Sequence, residues 1–209
     1  MEYSVFIRPL AVEDAMVSYQ WRNNPKIWRF TGSKPDKYIT AEMETAWLAE
    51  VLKRKNEARF AICLKDSGEY IGNIHLGNIT NGTAELHIFI GDVKFWGKDR
   101  AFEAICLLLE YGFHELKLDA VHIDVVINHH ASHSIGKRAG FVEQGKYFHE
   151  GLKTELVRSV LTREMYKSKE RQNSKTAQNP GLVQKGLGFV YILIEDPAYI
   201  FCDLIAQAS

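Results

Sequence analysis

The stretch Thr83-Ala-Glu-Leu-His-Ile-Phe-Ile-Gly-Asp-Val-Lys-Phe-Trp-Gly-Lys-Asp-Arg-Ala-Phe-Glu-Ala104 decides how this chain folds. Its first eight residues alternate. Ala84, Leu86, Ile88 and Ile90 share one face and Glu85, His87 and Phe89 the other, the period of a half-buried strand. From Arg100 the period changes, and the apolar residues to Phe113 read as a helix. Between them lies a short polar loop around Gly97. A strand–loop–helix joint of this kind aims successive backbone N–H groups at one place, where an anion can sit.

Working outward, Val121–Ile127 is an apolar strand suited to a sheet interior, and a helix from Ala131 to Ala139 stops at Gly140, a favourable C-terminal cap. Phe141–Gly145 begins the closing structure, and Leu156–Tyr166 is the last strand. Upstream, Val5–Leu10 is a strand. Glu13 and Asp14 lead into a helix carrying Trp21, which Asn23-Asn24-Pro25 breaks before a short element at Ile27–Phe30. Thr40 caps a second helix with Met43, Trp47, Leu48 and Val51 at helical spacing. Arg59–Leu64 and Tyr70–Leu76 form a hairpin, and Asn81-Gly82 makes the next tight turn. Antiparallel hairpins mixed with crossover helices predict an α/β (α+β mixed) domain. Its sheet is mixed and mostly antiparallel, with helices on both faces. The domain is expected to span residues 1–167. Residues 168–209 start as a polar linker and continue as an extension that packs back, pairs with another subunit in a homodimer, or is a non-native addition.

The chain has 209 residues, enough for one well-buried core. Its 26 basic and 26 acidic side chains balance, which argues against a nucleic-acid-binding surface. Cys63, Cys106 and Cys202 fit no disulfide framework or ligand spacing, so a cytoplasmic location is expected. No apolar run approaches the length of a membrane span, so no membrane partner is expected.

Three groups of residues resemble the GNAT superfamily of acetyl-CoA-dependent N-acetyltransferases. They are Ile7-Arg8-Pro9-Leu10 with Glu13-Asp14, Phe95–Ala104, and Ala131-Ser132 leading to Gly140-Phe141. The likeness covers residues 5–166 and is nearer to the branch of ribosomal-protein-alanine, polyamine and amino-sugar acetyltransferases. It implies acetyl-CoA as donor. The pyrophosphate would be held by the backbone from Gly97 through Lys98, Asp99, Arg100 and Ala101 to Phe102. Ile88, Ile90, His129 and Ser132 would lie beside the rest of the coenzyme. Gly97 and Ala101 match the family's loop, but Asp99 stands where its middle glycine is usual, and Lys98 or Arg100 is expected to offset that charge. His129 stands where the downstream helix usually opens with asparagine.

The resemblance places the general base at Glu85, acting directly or through water; an exposed strand carboxylate is the alternative. Ser132 would donate to the departing thiolate, or simply cap its helix. The tyrosine that often shares this role one turn later is replaced by Gly136. His87 shares the face of Glu85 and is a candidate proton relay. His129, His130 and His133 lack a completing carboxylate or cysteine nearby, so no metal is expected. Trp21, Arg22, Trp28 and Arg29, with Glu85 and His87, form the candidate acceptor site: aromatic faces to cover a ring and arginines to meet a phosphate, unless the tryptophans merely pack. The expected reaction is acetylation of a small-molecule primary amine, with a nucleotide-linked amino sugar as the specific choice. Protein N-terminal acetylation and a non-catalytic acyl-CoA-binding module are the alternatives.

Overall fold

The computed structural model describes residues 3–28 and 35–177. Seven strands form one sheet: β1 Val5–Pro9, β2 Ala58–Leu64, β3 Tyr70–Thr80, β4 Thr83–Ile90, β5 Ala120–Val126, β6 Val142–His149 and β7 Thr154–Thr162. Their order across the sheet is β1-β2-β3-β4-β5-β7-β6, and β4 with β5 is the one parallel pair. The helices are α1 Ala15–Arg22, α2 Pro25–Trp28, α3 Ala41–Val51, α4 Arg100–His114, α5 His130–Ala139 and α6 Arg163–Ala177. Among the described residues, no helix is long and apolar enough to cross a membrane.

Strand alternation sorts the side chains into two layers. Phe60, Ile62 and Leu64 of β2 join Ala84, Leu86 and Ile90 of β4 in a core with Ala104, Leu107, Leu108 and Phe113 of α4. Ala61 and Cys63, from the alternate positions of β2, face the opposite way and pack with Ala15, Trp21, Leu48 and Val51 of α1 and α3. Helices therefore cover both faces, as the mixed pattern predicts.

Buried polar groups fix the docking. Glu103, in the first turn of α4, accepts from the Ser4 amide (2.8 Å) and hydroxyl (2.7 Å), tying α4 to the start of β1. Arg8 grips Asp14 through two guanidinium nitrogens at 2.8 and 2.7 Å, which fixes the entry to α1. The Thr40 hydroxyl accepts from the Met43 amide, the N-cap read from the sequence.

The C-terminal part differs from expectation. The last strand stops at Thr162, and the polar stretch beginning at Ser168 is no linker there: α6 runs from Arg163 to Ala177. It packs through Tyr166, whose ring stacks on Phe113 with centroids 4.7 Å apart, and through Glu170, which lies 3.1 Å from His114. Polar residues read as a linker because an apolar anchor as sparse as Met165 and Tyr166 leaves little periodic signal. The expected extension beyond residue 177 lies outside the described residues.

Candidate active site

The parallel pair is short. Thr83, Ala84 and Glu85 pair with Ala120, Val121 and His122, and pairing then stops, although β4 continues to Ile90 and β5 to Val126. Each strand is still paired on its far side, β4 with β3 and β5 with β7. The sheet thus opens in its middle, and the backbone groups that line the gap have no strand opposite.

Glu85 stands at the last paired position. Its carboxylate accepts from Asn78 Nδ2 at 3.2 Å and lies 3.3 Å from His87 Nε2 and 4.0 Å from His122 Nε2. Asn78 reaches it because a β-bulge between Gly77 and Thr80 puts Asn78 in a left-handed conformation (φ 51°) opposite the strand. The bond to His87 holds the Glu85 carboxyl below the usual range, outweighing partial burial, so it is an anion at neutral pH. His87 stacks on His75 at 4.6 Å, a second ring that burial and Arg59 keep neutral, with a pKa lowered to about 2.

Beside them, Asp124 is held by Arg158 (2.9 and 2.6 Å) and by the Tyr147 hydroxyl (2.8 Å). Burial raises its carboxyl, but these bonds override that and leave it low. Among the described residues, Glu85, His122 and Asp124 have donor atoms within 4.8 Å of one another, the spacing of a metal site. Arg158 already occupies Asp124, so a cation there would have to displace a bidentate ion pair. Two of the three histidines noted from the sequence are placed on α5: His133 Nε2 bonds the Val126 carbonyl at 3.1 Å, and His129 is the N-cap residue, its imidazole pushed down by burial and by His133.

The loop after β4 begins with a 3-10 turn at Val93–Phe95, and the Trp96 indole donates to the Ile90 carbonyl at 3.1 Å. Gly97, Lys98 and Asp99 then all take positive φ (76°, 53° and 61°). The first helical bond of α4 runs from the Glu103 amide to the Asp99 carbonyl at 2.9 Å. The amides from Gly97 to Phe102 consequently donate to no backbone group among the described residues, which is the signature of an open helix N-terminus. Nothing lies within 4 Å of the place where a Gly97 side chain would stand. The Arg100 Nε is buried and has no hydrogen-bond partner, while its Nη1 donates to the Phe95 carbonyl at 3.2 Å. Open amides, a helix dipole and an unsatisfied guanidinium nitrogen fit the diphosphate of coenzyme A.

Ser132 lies in the first turn of α5; the N-cap is His129, so Ser132 is not the cap. Gly136, where a tyrosine would otherwise be sought, packs closely on β5: a Cβ there would lie 2.7 Å from Ile123 Cδ1, so that side chain would have to shift.

Of the candidate acceptor residues, Glu85 and His87 are brought together, whereas Trp21 and Arg22 lie in the packing of α1 and α3. Trp21 is 7% exposed and packs against Tyr70 (4.7 Å) and Phe89 (6.0 Å) in the core. Arg22 donates from Nε to the buried Glu44 at 3.0 Å and lies over the Trp47 ring. Both take part in holding α1 against its neighbours. Arg29 and the Trp28 side chain fall outside the described residues. Asn78, His122, Asp124, Tyr147 and Arg158 were missed. The alternation of β5 put His122 and Asp124 on one face, but only the β4–β5 register places that face beside Glu85.

Residues 4–142 match the acetyltransferase (GNAT) domain family. The Bacillus subtilis protein described as the probable N-acetyltransferase YjcK is 30% identical over 150 residues, 68% of this chain and 82% of that one. The spermidine N(1)-acetyltransferase of Escherichia coli is 26% identical over 185 residues, 85% of this chain and 96% of that one. In fold, the chain is similar to spermidine N-acetyltransferase from Vibrio cholerae, solved with CoA and spermine. The TM-score is 0.69 at 22% identity, over 78% of this chain and 98% of that chain. With the loop and strand gap in place, the chain belongs to the GNAT acetyltransferase family and is an acetyl-CoA-dependent N-acetyltransferase.

Proposed function

We propose that the acceptor is a small cationic primary amine of the polyamine type, acetylated beside Glu85. One observation carries this reading: an anionic carboxylate stands at the point where β4 and β5 part, held by Asn78 and His87. A protonated amine is attracted there before it reacts. The kinship with spermidine acetyltransferases supports the same class. The nucleotide-linked amino sugar has less support. Arg22 and Trp21, expected to meet its phosphate and ring, serve the packing of α1 and α3.

The amides from Gly97 to Phe102 and the Arg100 guanidinium would hold the coenzyme diphosphate, with Lys98 adding positive charge. When bound, acetyl-CoA supplies the acetyl group as a thioester open to direct attack by a neutral amine. Glu85 orients the ammonium and accepts its proton, directly or through water. His87, in contact with the carboxylate, is placed to pass that proton outward. The Ser132 hydroxyl, in the first turn of α5, would supply a proton to the departing thiolate.

The test is a panel of acceptors: spermidine and spermine, aminoglycosides, nucleotide amino sugars and N-terminal peptides. Each is assayed for thiol release and for acetylated product. Turnover fastest on polyamines supports the proposal. Turnover confined to nucleotide amino sugars or to peptide N-termini overturns it.

A further inference from the structure

Asp99 brings a negative charge to the loop assigned to an anionic diphosphate, and the neighbours expected to offset it do not touch it. Arg100 turns toward Phe95, whose carbonyl accepts from its Nη1 and whose ring lies 5.4 Å from its guanidinium carbon. The partner of Asp99 comes instead from α5, 39 residues away: Arg138 Nη1 donates to Asp99 Oδ1 at 2.7 Å. The Arg138 guanidinium lies 4.3 Å over the Phe102 ring, in the first turn of α4, so two contacts set its place. The main chain behind it is anchored as well, because Lys169 of α6 donates to the Arg138 carbonyl at 2.6 Å. Asp99 can occupy its left-handed position (φ 61°) because aspartate tolerates that region better than most residues.

We propose that Arg138 is the positioning residue that makes the Asp99-containing loop compatible with the coenzyme, cancelling the carboxylate and keeping it turned toward α5 and away from the open amides. The proposal rests on the assignment of the diphosphate to Gly97–Phe102. The mutual bond holds Asp99 ionised and Arg138 charged, so the pair is neutral as a unit across the physiological range. Without Arg138, a full negative charge would stand free beside the row of amides meant for an anion.

The test is calorimetric titration with acetyl-CoA, in the absence of acceptor and at low ionic strength, using the full chain. Arg138→Gln is expected to weaken binding by up to about fivefold, the upper end for one exposed, partly screened charge pair. Arg138→Lys should stay within about threefold of the parent, since the charge remains. Asp99→Asn should bind at least as tightly as the parent. The double variant Asp99→Asn with Arg138→Gln should recover most of the loss. Because the effect is electrostatic, the Arg138→Gln deficit should shrink as salt is raised toward about 1 M. An unchanged affinity in Arg138→Gln overturns the proposal. So does a double variant as weak as Arg138→Gln, or a deficit indifferent to salt, which would indicate lost packing over Phe102. Gly97→Val separates the two levels. If it binds normally, the loop assignment itself fails; if it binds poorly while Arg138→Gln binds normally, only the role of Arg138 fails.

Discussion

The indole of Trp21 fills the space that a side chain at Gly91 would need: a Cβ built there would fall among the Trp21 ring atoms. This contact joins the end of α1 to the residue that follows β4, where the coenzyme loop begins. The Gly91 amide also donates to the Ile71 carbonyl at 2.8 Å, so the backbone cannot back away without losing a bond. Gly91→Ala should therefore destabilise the protein by about 1–3 kcal/mol, the usual cost of overpacking. Urea denaturation checks this, and a midpoint equal to that of the parent would show that the ring moves freely.

Glu85→Gln keeps the shape and the Asn78 contact while removing the charge and the basic oxygen. The expected loss in turnover is about 10²–10⁴-fold. The deficit should widen as pH falls, because fewer acceptor molecules arrive already neutral. In the parent, Glu85 stays ionised below the usual carboxylate range. The acid limb of the variant should accordingly report the acceptor amine, whereas that of the parent should lie lower, where Glu85 itself gains its proton. Initial rates of thiol release across pH, for parent and variant with one acceptor, decide the matter.

Ser132→Ala should lower turnover by about tenfold or less, since Ser132 is only half-buried and water can substitute as the donor. Affinity for acetyl-CoA should be unchanged. Parallel titration and rate measurements separate a proton-donor role from a binding role: reduced affinity at normal turnover would remove Ser132 from the chemistry.

His75 predicts a pH dependence of stability. Its imidazole has a pKa of about 2 in the folded chain, lowered by burial first and then by Arg59 and His87, with Glu85 opposing. The ordinary histidine value is about 6.5. Between these limits the unfolded chain binds a proton that the folded chain refuses. Stability is therefore full above the unfolded value and is lost as pH falls below it. Denaturation midpoints at several pH values from neutral to about 4.5 should fall for the parent. They should fall less steeply for His75→Gln. Equal slopes would show that His75 is protonated in the folded state.

Much of this architecture was legible because short-range pattern carries it. The alternation of Thr83–Ile90, the switch of period at Arg100 and the cap at Gly140 each follow from neighbours in sequence. What was not legible depends on which distant surfaces meet. Trp21 looks the same at the mouth of a site as in a core; its burial depends on Gly91 and Tyr70, about 70 and 50 residues away. Arg138 has no local mark of its bond to Asp99, which needs α4 and α5 side by side. Asn78 reaches Glu85 only through a bulge, and a bulge inserts a residue without disturbing the strand composition around it.

The place where β4 and β5 part has a consequence for how this protein avoids its own kind. Free strand edges are hazardous because another chain can add to them, and most proteins keep them short, charged or covered. Here unpaired backbone groups lie inside the sheet, with β3 beyond one wall and β7 beyond the other. A foreign strand would have to enter between β4 and β5 rather than dock on an outer edge. Backbone donors and acceptors are thus left unpaired while remaining sheltered from the lateral pairing that seeds aggregation.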